Sequence, residues 1–121
     1  MGKTVMIIDD SRTLRHVVET SLNKAGYMSM GAVDGVDALR KLEQGLPDLI
    51  ICDIFMPNMD GITFLKELKK IPGHSDIPVL MLTTESQAGR REEARMAGAA
   101  GWITKPFTSD QLIKAVDRVI S

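Results

Sequence analysis

The chain has 121 residues, of which 44% are hydrophobic and 26% charged, and its 15 basic and 16 acidic side chains leave a net charge of −1. That length suits one domain with a proper core. The balanced charge and 4% aromatic content argue against a surface for nucleic acid or an anionic membrane, and no apolar run is long enough to cross a bilayer.

A first strand is expected at Val5–Ile8, running straight into Asp9 and Asp10. The N-terminus lacks the apolar stretch and cleavage site of a signal peptide. Ser11 is placed to cap a helix whose Leu14, Val17, Val18 and Leu22 recur at helical spacing, with Gly26 as its stop. Met28–Val33 reads as a weaker strand. Asp34 can cap a second helix carrying Val36, Leu39 and Leu42, with Gly45 as its stop. Pro47 precedes the strand Leu49–Cys52, which runs into Asp53. A loop, Ile54–Gly61, contains Pro57.

Ile62, Leu65 and Leu68 mark a third helix that Pro72 and Gly73 end. Ile77–Leu82 is apolar on both faces, as a central parallel strand should be, and Thr83 follows it. Gln87–Met96 is helical in period but mostly polar; with only Ala88 and Ala94 to turn inward, it should be the least firmly held helix. Gly101–Thr104 is a fifth strand, followed by Lys105. Thr108, Ser109, Asp110 and Gln111 match a capping box before the apolar positions Leu112, Ile113, Val116, Val119 and Ile120.

Strands alternating with helices imply an α/β fold, a doubly wound parallel sheet covered on both faces. Ligands of such sheets bind beyond the carboxyl ends of the strands. Asp9, Asp10, Asp53, Thr83 and Lys105 all stand there. Taken singly, each has a plain structural role: aspartates cap and turn, threonine suits strands, and a lysine before proline can be a loop residue. Their coincidence at four strand ends points to a site.

Carboxylates crowded together repel; two unit charges about 4 Å apart do so by roughly 4 kcal/mol at an effective dielectric of about 20. A divalent cation removes that penalty, and oxygen-only ligands point to Mg²⁺. An aspartate so placed can attack phosphorus and form an acyl phosphate. The metal and Lys105 would neutralise the charge that develops, and the Thr83 hydroxyl could donate to the same group.

The segments IIDDS at the first strand, DIFMPNMDG around Asp53, LTTES after the fourth strand and WITKPF at the fifth resemble the receiver domain of two-component response regulators. The resemblance covers the chain from Lys3 onward, so residues 1–121 are expected to form a single receiver domain. It implies the flavodoxin-like fold, with five strands in the order 2-1-3-4-5 and five helices. It also implies that Asp53 is the phosphoacceptor, loaded from a phosphohistidine on a sensor histidine kinase. Asp10 and Asp53 would then ligate Mg²⁺ directly, the backbone carbonyl of Phe55 would be a third ligand, and Asp9 would act mainly through water. Thr83 and Lys105 would bind the phosphoryl oxygens, and the Lys105–Pro106 bond would be cis. No other cofactor is implied, and no enzymatic turnover beyond the domain's own phosphorylation and dephosphorylation.

Within that family, the LTTES and GWITKPF segments look most like the stand-alone chemotaxis regulators of the CheY type. The resemblance implies a CheA-like kinase, a FliM-like flagellar motor switch protein as output and a phosphatase as partners, and a cytoplasmic phosphoprotein without nucleic-acid binding or membrane insertion. A chain expected to end at its last helix, without an output domain, would share that arrangement with phosphorelay intermediates and phosphate sinks. Trp102, the only tryptophan, stands where the family usually has Tyr or Phe, and would turn inward with Thr83 on phosphorylation. Phe55 and Glu85 are departures expected to bear on phosphate lifetime.

Other residues read more plainly. Cys52, the single cysteine, reads as a buried thiol in a reducing compartment. His16 and His74 lack companion ligands. Arg90, Arg91 and Arg95, interleaved with Glu92 and Glu93, read as a solvated helix face. A hydrolase of the haloacid dehalogenase type would need an aspartate at the position of Phe55. A nucleotide or flavin site would need glycine-rich motifs that the sequence lacks.

Overall fold

Five strands, β1 (Thr4–Ile8), β2 (Met28–Ala32), β3 (Leu49–Asp53), β4 (Val79–Thr84) and β5 (Gly101–Lys105), alternate with helices α1 (Arg12–Lys24), α2 (Gly35–Leu42), α3 (Gly61–Lys70), α4 (Arg90–Met96) and α5 (Ser109–Ile120), and the apolar runs of β1, β3 and β4 are buried. The computed structural model describes residues 2–84 and 89–120. All strand pairs are parallel, in the order β2-β1-β3-β4-β5. This is the doubly wound, flavodoxin-like sheet that the alternation and the resemblance imply.

Successive strand side chains face opposite sides, and each side has its own core. Met6, Ile8, Ile50, Cys52, Val79 and Met81 pack with Phe64 and Leu65 of α3 and with α2. Val5, Ile7, Leu49, Ile51, Leu80, Leu82 and Ile103 pack with Val18, Leu22, Leu112 and Val116 of α1 and α5. Central strands buried on both faces need continuous apolar sequence, and β3 is buried at every residue.

Local chemistry sets the helix ends. The Ser11 hydroxyl accepts from Leu14 N at 3.2 Å. Gly26, at φ +94°, lets Tyr27 N reach back to Leu22 O at 2.9 Å and close α1. Asp34 accepts from Asp37 N at 2.8 Å. The capping box at α5 is reciprocal: Gln111 N donates to Thr108 Oγ1 at 3.1 Å, and Thr108 N donates to Gln111 Oε1 at 2.9 Å.

Several expectations shift. Val17 and Val36 face solvent, at 48% and 52% exposure, because Val18 and Leu22, and Ala38 and Leu42, already fill the buried stripes of α1 and α2. α2 ends at Leu42 with Glu43 as its cap, before Gly45. Val33 falls outside β2, and Ile77 is buried just ahead of β4 with Pro78 between. α4 begins at Arg90 and buries only Ala94; Gln87 and Ala88 lie outside the described residues. Among the described residues, no helix is long and apolar enough to cross a membrane.

Candidate functional site

The carboxyl ends of β1, β3, β4 and β5 lie along one edge of the sheet. Asp9 directly follows β1 and is held from both sides: its Oδ1 accepts from Ser11 N at 2.8 Å, and its carbonyl accepts from Arg15 Nη1 at 2.7 Å. Asp53 ends β3, is 6% exposed, and accepts from Ile54 N at 3.0 Å. Lys105 ends β5 and donates to Asp53 Oδ1 at 3.1 Å, while its Nζ lies 3.6 Å from Asp9 Oδ2. Asp10 is exposed, yet Asp9, Asp10 and Asp53 each bring a carboxylate oxygen within 4.8 Å of the others. The three aspartates and Lys105 expected at the site therefore meet.

Thr83 stands near the end of β4, on the opposite face of the sheet from Asp53. In β4 it continues the series Val79 and Met81, and its register partner on β5 is Thr104. It is fully buried, and among the described residues its hydroxyl has no hydrogen-bond partner. Asp9 Oδ2 is likewise buried without a hydrogen bond. Orphaned polar atoms in a core are costly unless something serves them. An all-oxygen donor set with one exposed member suits a hard divalent cation that keeps several waters, so the residues present fit a metal.

The electrostatics agree. Burial, and then the charge of Asp9, hold the Asp53 carboxyl above the usual carboxylate range, against the opposing pull of Lys105. The folded state therefore binds the Asp53 proton more tightly than the unfolded chain does. An ionised Asp53 subtracts stability at neutral pH, and the penalty vanishes below its unfolded value. Asp53→Asn is expected to melt a few degrees above the wild type at pH 7 without divalent ions. The gap should close below about pH 4. Melting curves across that range check it; a variant less stable at pH 7 would mean that the Lys105 pair outweighs the burial.

The loop between β3 and α3 is tied down by Asn58, at φ +69°, whose amide donates to Asp34 Oδ2 at 2.8 Å. Asn58 and Arg15 were not singled out in the sequence; only their closeness to capping and acidic residues could have flagged them. Phe55 leaves this loop 56% exposed, and Met56 and Met59 pack against the core. Trp102 is 40% exposed. The Lys105–Pro106 bond is cis, as the resemblance implies. Cys52 is fully buried beside the site, and burial pushes its thiol well up. His16 is exposed and His74 half-buried; neither joins the acidic group. Glu85 lies outside the described residues.

Comparison with known proteins agrees with this geometry. Residues 5–117 match the response regulator receiver domain. Protein PilG of Pseudomonas aeruginosa is 36% identical over 115 residues, spanning 95% of this chain and 85% of that protein. The structure of chemotaxis protein CheY4 of Vibrio cholerae superposes with a TM-score of 0.93 at 38% identity, covering 99% of this chain and all of that one. The receiver domain of NtrX from Brucella abortus superposes with a TM-score of 0.89 at 30% identity, covering 95% and 96%.

Proposed function

Because the chain belongs to the response regulator receiver domain family of two-component systems, we propose that Asp53 is its phosphoacceptor in a Mg²⁺-dependent phosphorylation switch. One observation carries this reading: Lys105 Nζ sits 3.1 Å from Asp53 and 3.6 Å from Asp9, at the mouth of a three-carboxylate cluster. A lone buried carboxylate with a lysine is an ion pair. Here one lysine faces two carboxylates with a third beside them, which leaves negative charge that asks for a cation.

Asp10 and Asp53 would hold Mg²⁺, with the Phe55 backbone carbonyl as a further ligand and Asp9 acting through water. When bound, the ion neutralises charge on the phosphoryl oxygens. An Asp53 carboxylate oxygen attacks the phosphorus of a kinase phosphohistidine. The new P–O bond forms as the P–N bond breaks, and the electron pair leaves with the imidazole nitrogen, which takes up a proton. Lys105 is already aimed at the acceptor and stabilises the transferred group, and the Thr83 hydroxyl, which has no hydrogen-bond partner among the described residues, donates to it. The acyl phosphate later yields to water, so the domain promotes its own loading and unloading and turns over no separate substrate.

Trp102 and Thr104 share one face of β5, and Thr83 neighbours Thr104 in register. A Thr83 drawn toward phosphate would free room for Trp102 to turn inward and reshape the face made by α4, β5 and α5. A groove of about 300 Å³ there is lined by Trp102, Ile103, Thr104, Pro106, Gln111 and Ala115, suited to an output protein. The likeness to CheY4 favours chemotaxis: a CheA-like kinase upstream, a FliM-like motor switch protein downstream, and a phosphatase, all in the cytoplasm. As the only tryptophan, Trp102 reports directly. Its fluorescence should change when acetyl phosphate and Mg²⁺ are added to the wild type and stay constant in Asp53→Asn. An unchanged signal in protein shown to be phosphorylated would remove Trp102 from the switch.

A further inference from the structure

The first two residues of α4 each reach an aromatic ring on a different element. Arg90 places its guanidinium 5.8 Å from the centroid of Phe55, and Arg91 places its own 5.6 Å from that of Trp102. Arg90 also pairs with Glu93 one turn on, and Arg95 with Glu92 one turn back. Arg91 does not; its Nη2 donates to Thr104 Oγ1 at 2.8 Å, and its Nε is buried with no hydrogen-bond partner among the described residues. This arginine has forgone the solvated position that its helix offers in order to grip two side chains on one face of β5.

We infer that Arg91 is a latch that holds Trp102 in its outward position and so sets the resting state of the switch. The inference rests on the phosphorylation reading and deepens it. A guanidinium suits the task because its flat face can lie on an indole while its edge donates to a hydroxyl; an ammonium cannot do both. Thr104 anchors the fork, and Thr104 is the register neighbour of Thr83. The latch is therefore fastened beside the residue expected to respond to phosphate. Any inward turn of Trp102 must leave the Arg91 face, so the contact opposes activation. By linkage, removing it favours the phosphorylated form.

Acrylamide quenching of Trp102 in unphosphorylated protein tests this, because the two outcomes differ in sign. Arg91→Ala should shift the outward-to-inward ratio about three- to tenfold toward inward and lower the quenching constant. Phosphorylation by acetyl phosphate should quicken in the same variant. Thr104→Val, which removes only the anchor, should move both readouts the same way and covers the case in which Arg91→Ala unravels the short helix. Arg95→Ala, which loses only a surface pair, should leave quenching as in the wild type. Unchanged or greater quenching in both Arg91→Ala and Thr104→Val means that the arginine merely shades the ring, and overturns the latch. A wild type that acetyl phosphate does not modify overturns the phosphorylation reading instead, whatever the quenching shows.

Discussion

Asp53→Asn is expected to abolish uptake of phosphate from acetyl phosphate in the presence of Mg²⁺. The substitution keeps the size of the side chain and removes the anionic oxygen that must attack phosphorus. Lys105 and Asp9 remain in place, so binding groups survive without a nucleophile. Lys105→Ala is expected to slow the reaction about 10²-fold rather than end it, since it removes one charge aimed at the developing oxyanion. Intact-protein mass spectrometry before and after hydroxylamine, which cleaves acyl phosphates, measures both. Undiminished labelling of Asp53→Asn would move the acceptor to another residue and undo the assignment.

Gly61→Ala should unfold or severely weaken the domain. A Cβ at position 61 would stand 2.1 Å from the Asp53 carbonyl oxygen and 2.9 Å from Met81 Cε. The first of these neighbours is backbone and cannot turn aside. Gly61 N donates to Ile54 O at 2.7 Å, which clamps the start of α3 against the end of β3. Relief requires α3 to back away, taking Phe64 and Leu65 out of a core in which both are fully buried. A destabilisation of about 3 kcal/mol or more is expected, and Asp53 would shift with its strand. Urea unfolding and phosphate uptake measured together check this; wild-type stability would mean that the helix and strand are not so tightly opposed.

Much of this was legible in the sequence, because the strong signals were local. Asp9, Asp53, Thr83 and Lys105 stand at strand ends since each follows a short apolar run between helical segments. Parallel pairing then brings such ends together without further instruction. The Gly26 stop and the Thr108–Gln111 box depend on neighbours within one turn. What escaped depends on the third dimension. Val17 and Val36 obey helical spacing, but a stripe wide enough to include them exceeds what the sheet can cover. Arg90 and Arg91 looked like members of a charged surface face. Their partners, Phe55 and Trp102, belong to other segments that only the fold brings within reach. The tie between Asn58 and Asp34 joins two loops in the same way.

Ala94 is the one residue that α4 buries, and its other ties to the body of the protein include the Arg90 and Arg91 contacts of its first turn. Most substitutions on its outer turns therefore touch neither hydrophobic core and fall in the range of about ±0.5 kcal/mol typical of surfaces. If an output protein docks on this helix as proposed, selection could rewrite which target it meets, one residue at a time, while the acidic site and the thermal tolerance of the domain stay as they are. A lineage could thus acquire a new listener for an old signal through changes too mild to endanger the messenger.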